Sequence, residues 1–275
     1  MSASLLSVKN LTVSAWYPTG KSEIIKDISF QVHHSETIAF VGRSASGKTM
    51  TALSLMGLLP KNVEQTKGEI RFEGNLITGK LHFNELRGKN ISIVFQDALA
   101  ALNPTFWVGT QILDVIRTHL QLKKSLAKER VLDLLNQVGL SNPEKVYKSY
   151  PHQLSGGMAQ RAMLAMALSC RPKLIIADEP TSSLDVLSQL HILKLIATLQ
   201  KAYKFALILI SHDMNVVKLL SDSILVFKDG QTIEAGQPCK IISSPQHPYT
   251  KELIESNLSL QLPDKKENAE PTHIL

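Results

Sequence analysis

Residues 42–49 read GRSASGKT, directly after the apolar run TIAFV and directly before MTALSLMGLL, whose apolar residues recur at helical spacing. No other stretch constrains the fold as narrowly. Gly42, Gly47, Lys48 and Thr49 satisfy the spacing G-x-x-x-x-G-K-[ST] between a predicted strand and a predicted helix. Such a loop turns successive backbone N–H groups inward around a phosphate, while the following helix points its positive dipole end at the same place. The candidate phosphate-binding residues are Gly42, Arg43, Ser44, Ala45, Ser46, Gly47, Lys48, Thr49 and Met50. Lys48 is suited to bridge β- and γ-phosphates, and the Thr49 hydroxyl to ligate Mg²⁺.

Three further apolar runs end in residues able to act on a bound phosphate. KLIIADEP carries Asp178 and Glu179 to a strand end, where open α/β sheets place their ligands. Asp178 is the expected second Mg²⁺ contact, and Glu179 the expected base that polarises an attacking water. FALILISHD delivers His212 in the same way, as a group that senses the terminal phosphate and positions the water. NISIVFQD delivers Gln96, whose neutral amide can reach Mg²⁺ or the water.

The 275 residues suffice for one large α/β domain with a smaller subdomain. Before the loop, SVKNLTVSAW, DISFQV and TIAFV read as an antiparallel series, and GEIRFEGNLI as a strand pair about a glycine turn. From Asp97 to about Arg171 the patterns are helical; KLIIADEP and FALILISHD then return as the apolar strands of parallel βαβ units. SILVFKDGQTIEAG reads as a hairpin turning at Asp229 and Gly230. The expected fold is α/β: a P-loop NTPase core with a mixed, mostly parallel sheet, an N-terminal antiparallel β subdomain and an inserted α-helical subdomain. Residues 1–96 and 172–240 form the expected core, 97–171 the helical subdomain and 241–275 a C-terminal extension, with a flexible tail from about 262.

Several classes are disfavoured. No apolar run approaches the roughly 20 residues of a membrane span. MSASLLSVKNLTV lacks the charged start and apolar stretch of a signal peptide, which favours the cytoplasm. Cys170 and Cys239 match neither a disulfide framework nor a zinc site, and the nine histidines are dispersed. Thirty basic residues interspersed with 24 acidic ones read as a solvated surface rather than a nucleic-acid interface.

One segment is left over. LSGGMAQR, residues 154–161, places Ser155, Gly156 and Gly157 at the start of a predicted helix, a second anion-binding arrangement with no lysine and no nucleophile. With the motifs above, in this order, the chain from about Leu6 to Ser259 resembles the nucleotide-binding subunit of an ATP-binding cassette (ABC) transporter. The resemblance makes LSGGMAQR the signature motif, the Gln96 segment the Q-loop, SSLD ending at Asp185 the D-loop, and His212 the switch histidine. It implies that two subunits face each other head to tail, each ATP lying between Gly42–Thr49 of one and Ser155–Gly157 of the other. It also implies that Trp16, or else Tyr17, stacks on adenine, and that the helical insert docks on a membrane permease.

YPHQLSGGM, ADEPTSSLD and SPQHPYTKEL resemble the oligopeptide, dipeptide and nickel importer branch. That branch implies a related but different second ATPase, two permeases and an extracytoplasmic binding protein, with this chain peripheral on the cytoplasmic membrane face. The lack of a longer cysteine-bearing C-terminal region, and GLLPKNVEQTKGEI, lean toward the nickel-type subunits over the peptide type. An exporter ATPase and a non-transport cassette acting on nucleic acid are the alternatives. Three positions depart from the common pattern: Met158, Arg43, and Ala45 where the family often has Gly, which is expected to be tolerated only at negative φ.

Overall fold

The computed structural model describes residues 4–259. In chain order the elements are β1 (Leu6–Tyr17), β2 (Gly20–Val32), β3 (Thr37–Val41), α1 (Lys48–Met56), β4 (Val63–Phe72), β5 (Asn75–Leu76), α2 (Gly79–Leu86) and β6 (Ile91–Val94). Helices α3 (Ala98–Ala101), α4 (Val108–Leu120), α5 (Lys124–Gln137), α6 (Pro143–Tyr147) and α7 (Gly156–Leu168) follow. The chain continues through β7 (Leu174–Asp178), α8 (Val186–Tyr203), β8 (Ala206–Ile210), α9 (Met214–Leu220), β9 (Ser223–Lys228), β10 (Gln231–Gly236), α10 (Pro238–Ser243) and α11 (Pro248–Ser259). The tail expected from about 262 lies outside the described residues.

Two sheets form. β2-β1-β4-β5 is antiparallel throughout, and β10-β9-β3-β8-β7-β6 is parallel except for its edge strand β10. TIAFV is therefore not the continuation of the antiparallel series that its position suggests. As β3 it lies inside the second sheet, parallel to both β8 and β9, with all five residues buried. Burial on both faces explains its unbroken apolar run, the pattern of a parallel rather than a half-exposed antiparallel strand. β2 is also longer than DISFQV, because its first residues, Gly20–Glu23, pair with β1 while remaining exposed.

The period of two along these strands divides the core into layers. Ile38, Phe40, Leu174, Ile176, Ile208 and Ile210 pack with the antiparallel sheet and α1. Ile175, Ala177, Leu207 and Leu209 face the opposite way, against the apolar residues of α4, α5, α7 and α8. Ala39 and Val41 face α9, α10 and α11 through Met214, Val217, Ile241, Tyr249 and Leu253. Between Ala98 and Leu168 the regular structure is helical, as expected of the inserted segment. No helix among the described residues is long and apolar enough to cross a membrane.

The hairpin between β9 and β10 meets the two sheets at one point. Gly230 donates its N–H to the Ser46 carbonyl at 3.1 Å, and its own carbonyl accepts from Lys26 of β2 at 2.8 Å. Gly230 has φ +80°, and a Cβ there would stand 2.1 Å from the Ile24 carbonyl oxygen. Gly230→Ala is expected to cost about 2 kcal/mol or more, from the left-handed backbone plus the clash. A urea unfolding series reads this directly, and an unchanged midpoint would contradict it.

Candidate functional site: a phosphate loop among four strand ends

Parallel strands bring the sequence motifs to one edge. β3 ends at Val41 before the loop, β7 at Asp178, β8 at Ile210 before Ser211 and His212, and β6 at Val94 before Gln96. Register aligns Asp178 with Ile210 and Val94 with Ala177. A cavity of about 390 Å³ opens there, lined by Ser44 through Met50, Gln96, Glu179 and Ile24. The loop, the Gln96 segment and Glu179 thus share one cavity, Asp178 stands beside it against Thr49, and His212 joins from the next strand end. Its Nδ1 lies 3.4 Å from Glu179 Oε2.

The loop is held in an unusual backbone. Gly42 has φ +152°, and a Cβ on it would meet the Phe227 carbonyl oxygen at 2.4 Å. The glycine is thus required by the protein's own packing as well as by any approaching ligand. Ala45 has φ +63°, so the expectation of a negative φ is corrected. The alanine is tolerated in the left-handed region at a cost of about 1 kcal/mol, because its neighbours fix the loop. Glu179 likewise has φ +45°, pinned by its N–H donating to the Ile210 carbonyl at 3.0 Å.

Lys48 is buried, and its ammonium donates to the Gly42 carbonyl at 2.7 Å, the Arg43 carbonyl at 2.9 Å and the Ser46 hydroxyl at 3.3 Å. Burial lowers its pKa, and the charges of Glu179 and Asp178 oppose that shift. Thr49 Oγ1 stands 3.3 Å from Asp178 Oδ1. Burial raises the Asp178 carboxyl above its ordinary value, the Thr49 hydroxyl pulls it down, and the Glu179 charge adds to the rise. A hydroxyl, a carboxylate and an amide oxygen around one cavity form the hard, all-oxygen donor set that a small divalent cation prefers.

The remaining predicted residues lie elsewhere. Ser155 caps α7, its hydroxyl accepting from the Met158 N–H at 3.3 Å, and neither it nor Gly156 or Gly157 lines the cavity. Cβ atoms on Gly156 and Gly157 would make only ordinary contacts, at 3.4 Å with Leu184 and 3.9 Å with Ser188. Nothing among the described residues requires glycine there. Asp185 caps α8, and hydrogen bonds from the Ser188 hydroxyl and from the Ser188 N–H, the latter at 3.0 Å, hold its pKa below the ordinary range. It does not line the cavity either. Trp16 and Tyr17 are each 51% exposed near the tip of the β1–β2 hairpin, Trp16 donating to Glu64 with Lys21 against its ring. Two neighbours of the loop escaped the sequence reading. Ile24 of β2 lines the cavity, and Tyr249 of α11 bonds the Arg43 N–H. Only the register of β2 and the packing of α11 reveal them.

A phosphate loop at the C-terminal edge of a parallel sheet, with carboxylates, glutamine and histidine on the neighbouring strand ends, defines a P-loop ATPase. A family model described as ABC transporter matches residues 25–182, so the chain belongs to the ABC transporter family. It is 41% identical over 266 residues to the oligopeptide transport ATP-binding protein OppD of Bacillus subtilis, across 96% of this chain and 74% of that one. It is 39% identical over 265 residues to the dipeptide transport ATP-binding protein DppD of Escherichia coli, across 92% of this chain and 78% of that one. Its fold is similar to a dimeric ATP-binding cassette in a post-hydrolysis state bound to ADP and Pi, with TM-score 0.76, 24% identity, and coverage of 85% of this chain and 98% of that one.

The raised Asp178 pKa gives a signed expectation. In the folded chain this carboxyl keeps its proton to higher pH than in the unfolded chain, so its contribution to stability falls as pH rises through the shifted value. Asp178→Asn keeps an acceptor for Thr49 and removes the buried charge. Without nucleotide or Mg²⁺, the variant's advantage in urea midpoint should grow from the ordinary carboxylate range toward neutrality and then level off. An advantage that is flat or shrinks with pH would contradict the assignment.

Proposed function

We propose that this chain is the ATPase subunit of an importer, hydrolysing ATP at an interface with a second cassette to drive solute through separate permeases. The observation that carries this reading is a surplus. One cavity gathers the loop, Gln96, Glu179 and, through Glu179, His212, while Ser155, Gly156 and Gly157 form a second anion-binding helix start outside it. Ser155 and Gly156 are exposed, and their chemistry suits the γ-phosphate of ATP held by a facing subunit.

In this proposal the loop N–H groups and Lys48 hold the β- and γ-phosphates, Lys48 keeping the Gly42 carbonyl as its anchor and exchanging the Arg43 carbonyl and the Ser46 hydroxyl for phosphate oxygens. Thr49, Asp178 and Gln96 hold Mg²⁺, which supplies charge neutralisation on those oxygens when bound. Glu179 accepts the proton of the attacking water, and His212, 3.4 Å from that carboxylate, keeps it oriented. Asp185, the last residue of SSLD, sits beside the facing site. Trp16, or Tyr17 beside it, stacks on the adenine ring. Loss of the terminal phosphate removes the ligand joining two subunits and frees the helical segment 97–171 to move about Gln96.

The cargo proposed is a di- or oligopeptide, on the strength of OppD and DppD; these relatives favour peptides over the nickel toward which the sequence leaned. The facing ATPase is proposed to be a related chain, the permeases to lie above the helical segment, an extracytoplasmic binding protein to deliver the solute, and this subunit to sit on the cytoplasmic membrane face. No nucleic acid takes part.

In the assembled transporter, Glu179→Gln should still bind ATP yet hydrolyse it on the order of 10²–10⁴-fold more slowly, and uptake of a labelled dipeptide should stop with it. Ser155→Arg should spare ATP binding by the separate subunit but abolish turnover in the assembly. Parental turnover in either variant would defeat the corresponding role, and nickel uptake without peptide uptake would reverse the cargo assignment.

A further inference from the structure

The C-terminal segment SPQHPYTKEL marks a branch by resemblance, but its position in the fold gives it work to do. Its turn is fastened to β10, where Glu234 accepts the N–H groups of Gln246 at 2.9 Å and His247 at 3.1 Å. Tyr249, Leu253 and Ile254 are then buried against the layer that contains Val41, the residue before the phosphate loop. From there the Tyr249 hydroxyl accepts the Arg43 N–H at 2.9 Å. Arg43 and Lys228 place their cations 5.8 and 5.2 Å from its ring centre, and the Arg43 guanidinium pairs with Glu252 at 2.7 Å.

The Arg43 N–H and the Gly42 carbonyl are opposite ends of a single planar peptide. Tyr249 holds one end, and the Lys48 ammonium, 2.7 Å from the Gly42 oxygen, is held by the other. Gly42 has no side chain to restrain that plane, and the hairpin contacts at Ser46 do not bond it, so the bond from α11 adds a restraint on its orientation. The exposed Arg43–Glu252 pair adds little by itself.

We infer that Tyr249 is a positioning residue for ATP binding: it sets the Gly42–Arg43 peptide and, through it, the place from which Lys48 reaches the phosphates. Tyr249 touches no substrate; it acts through the backbone of the loop. The inference rests on the nucleotide reading above.

The test is ATP affinity of the full chain in a double-mutant cycle of Tyr249→Phe with Lys48→Ala. Tyr249→Phe keeps the ring and removes the acceptor. It should weaken ATP binding about fivefold, the equivalent of one neutral hydrogen bond. In the transporter the KM should rise by the same factor with kcat within about twofold. With Lys48→Ala present, the Tyr249→Phe effect should vanish. An equal loss with and without Lys48, or no loss at all, would overturn the inference. If Lys48→Ala alone leaves ATP affinity intact, the nucleotide reading itself fails. Should Tyr249→Phe not fold, hydrogen exchange of the Arg43 amide in the parental chain reads the same bond: a protected amide supports the inference, and an amide that exchanges at the free rate would overturn it.

Discussion

The site depends on a backbone-to-backbone contact. The phosphate loop lies so close to the β9–β10 hairpin that a Cβ on Gly42 would stand 2.4 Å from the Phe227 carbonyl oxygen, and the hairpin lies so close to β2 that one on Gly230 would stand 2.1 Å from that of Ile24. Hydrogen bonds from Gly230 to Ser46 and from Lys26 to Gly230 close the contact. Two sheets and a hairpin thereby fix the shape of the loop before any ligand arrives, which avoids an ordering cost on binding. The positive φ of Ala45 is a strain that this bracing sustains.

Electrostatics then sets what the loop can accept. Burial disfavours the Lys48 ammonium, and loop carbonyls, the Ser46 hydroxyl and the charges of Glu179 and Asp178 oppose that cost. The Arg43 carbonyl and the Ser46 hydroxyl are partners of a kind that a phosphate can replace. Thr49 and Asp178 are already paired, and burial disfavours the Asp178 charge until a cation compensates it. On one side the cavity is rich in donors, on the other in carboxylate. No part of LSGGMAQR reaches it, although that segment has the chemistry of an anion site.

Much of this was legible in the sequence, and the exceptions have physical causes. Lys48, Asp178, Glu179, His212 and Gln96 were legible because each follows an apolar run, and runs buried on both faces end at the same edge of a parallel sheet. The place of TIAFV was not, since its unbroken run reports burial on both faces and not strand order, and its neighbours in sequence belong to the other sheet. The φ of Ala45 was missed because alanine ordinarily signals a negative value, and only the finished loop shows otherwise. Asp185 was assigned by its motif, while its carboxylate caps α8, which an N-cap reading of D-V-L-S would have found. Ile24 and Tyr249 reach the loop only through tertiary packing, from more than a dozen residues upstream and from the far end of the chain.

As proposed, this chain carries two halves of different sites, and nucleotide joins it to a second cassette. The most direct measurement is the solution mass of the full chain, alone and mixed with its partner ATPase, with and without a non-hydrolysable ATP analogue and Mg²⁺. A two-cassette species should form with the analogue and separate when it is removed. A mass of one cassette at saturating analogue, in both the single and the mixed sample, would contradict it.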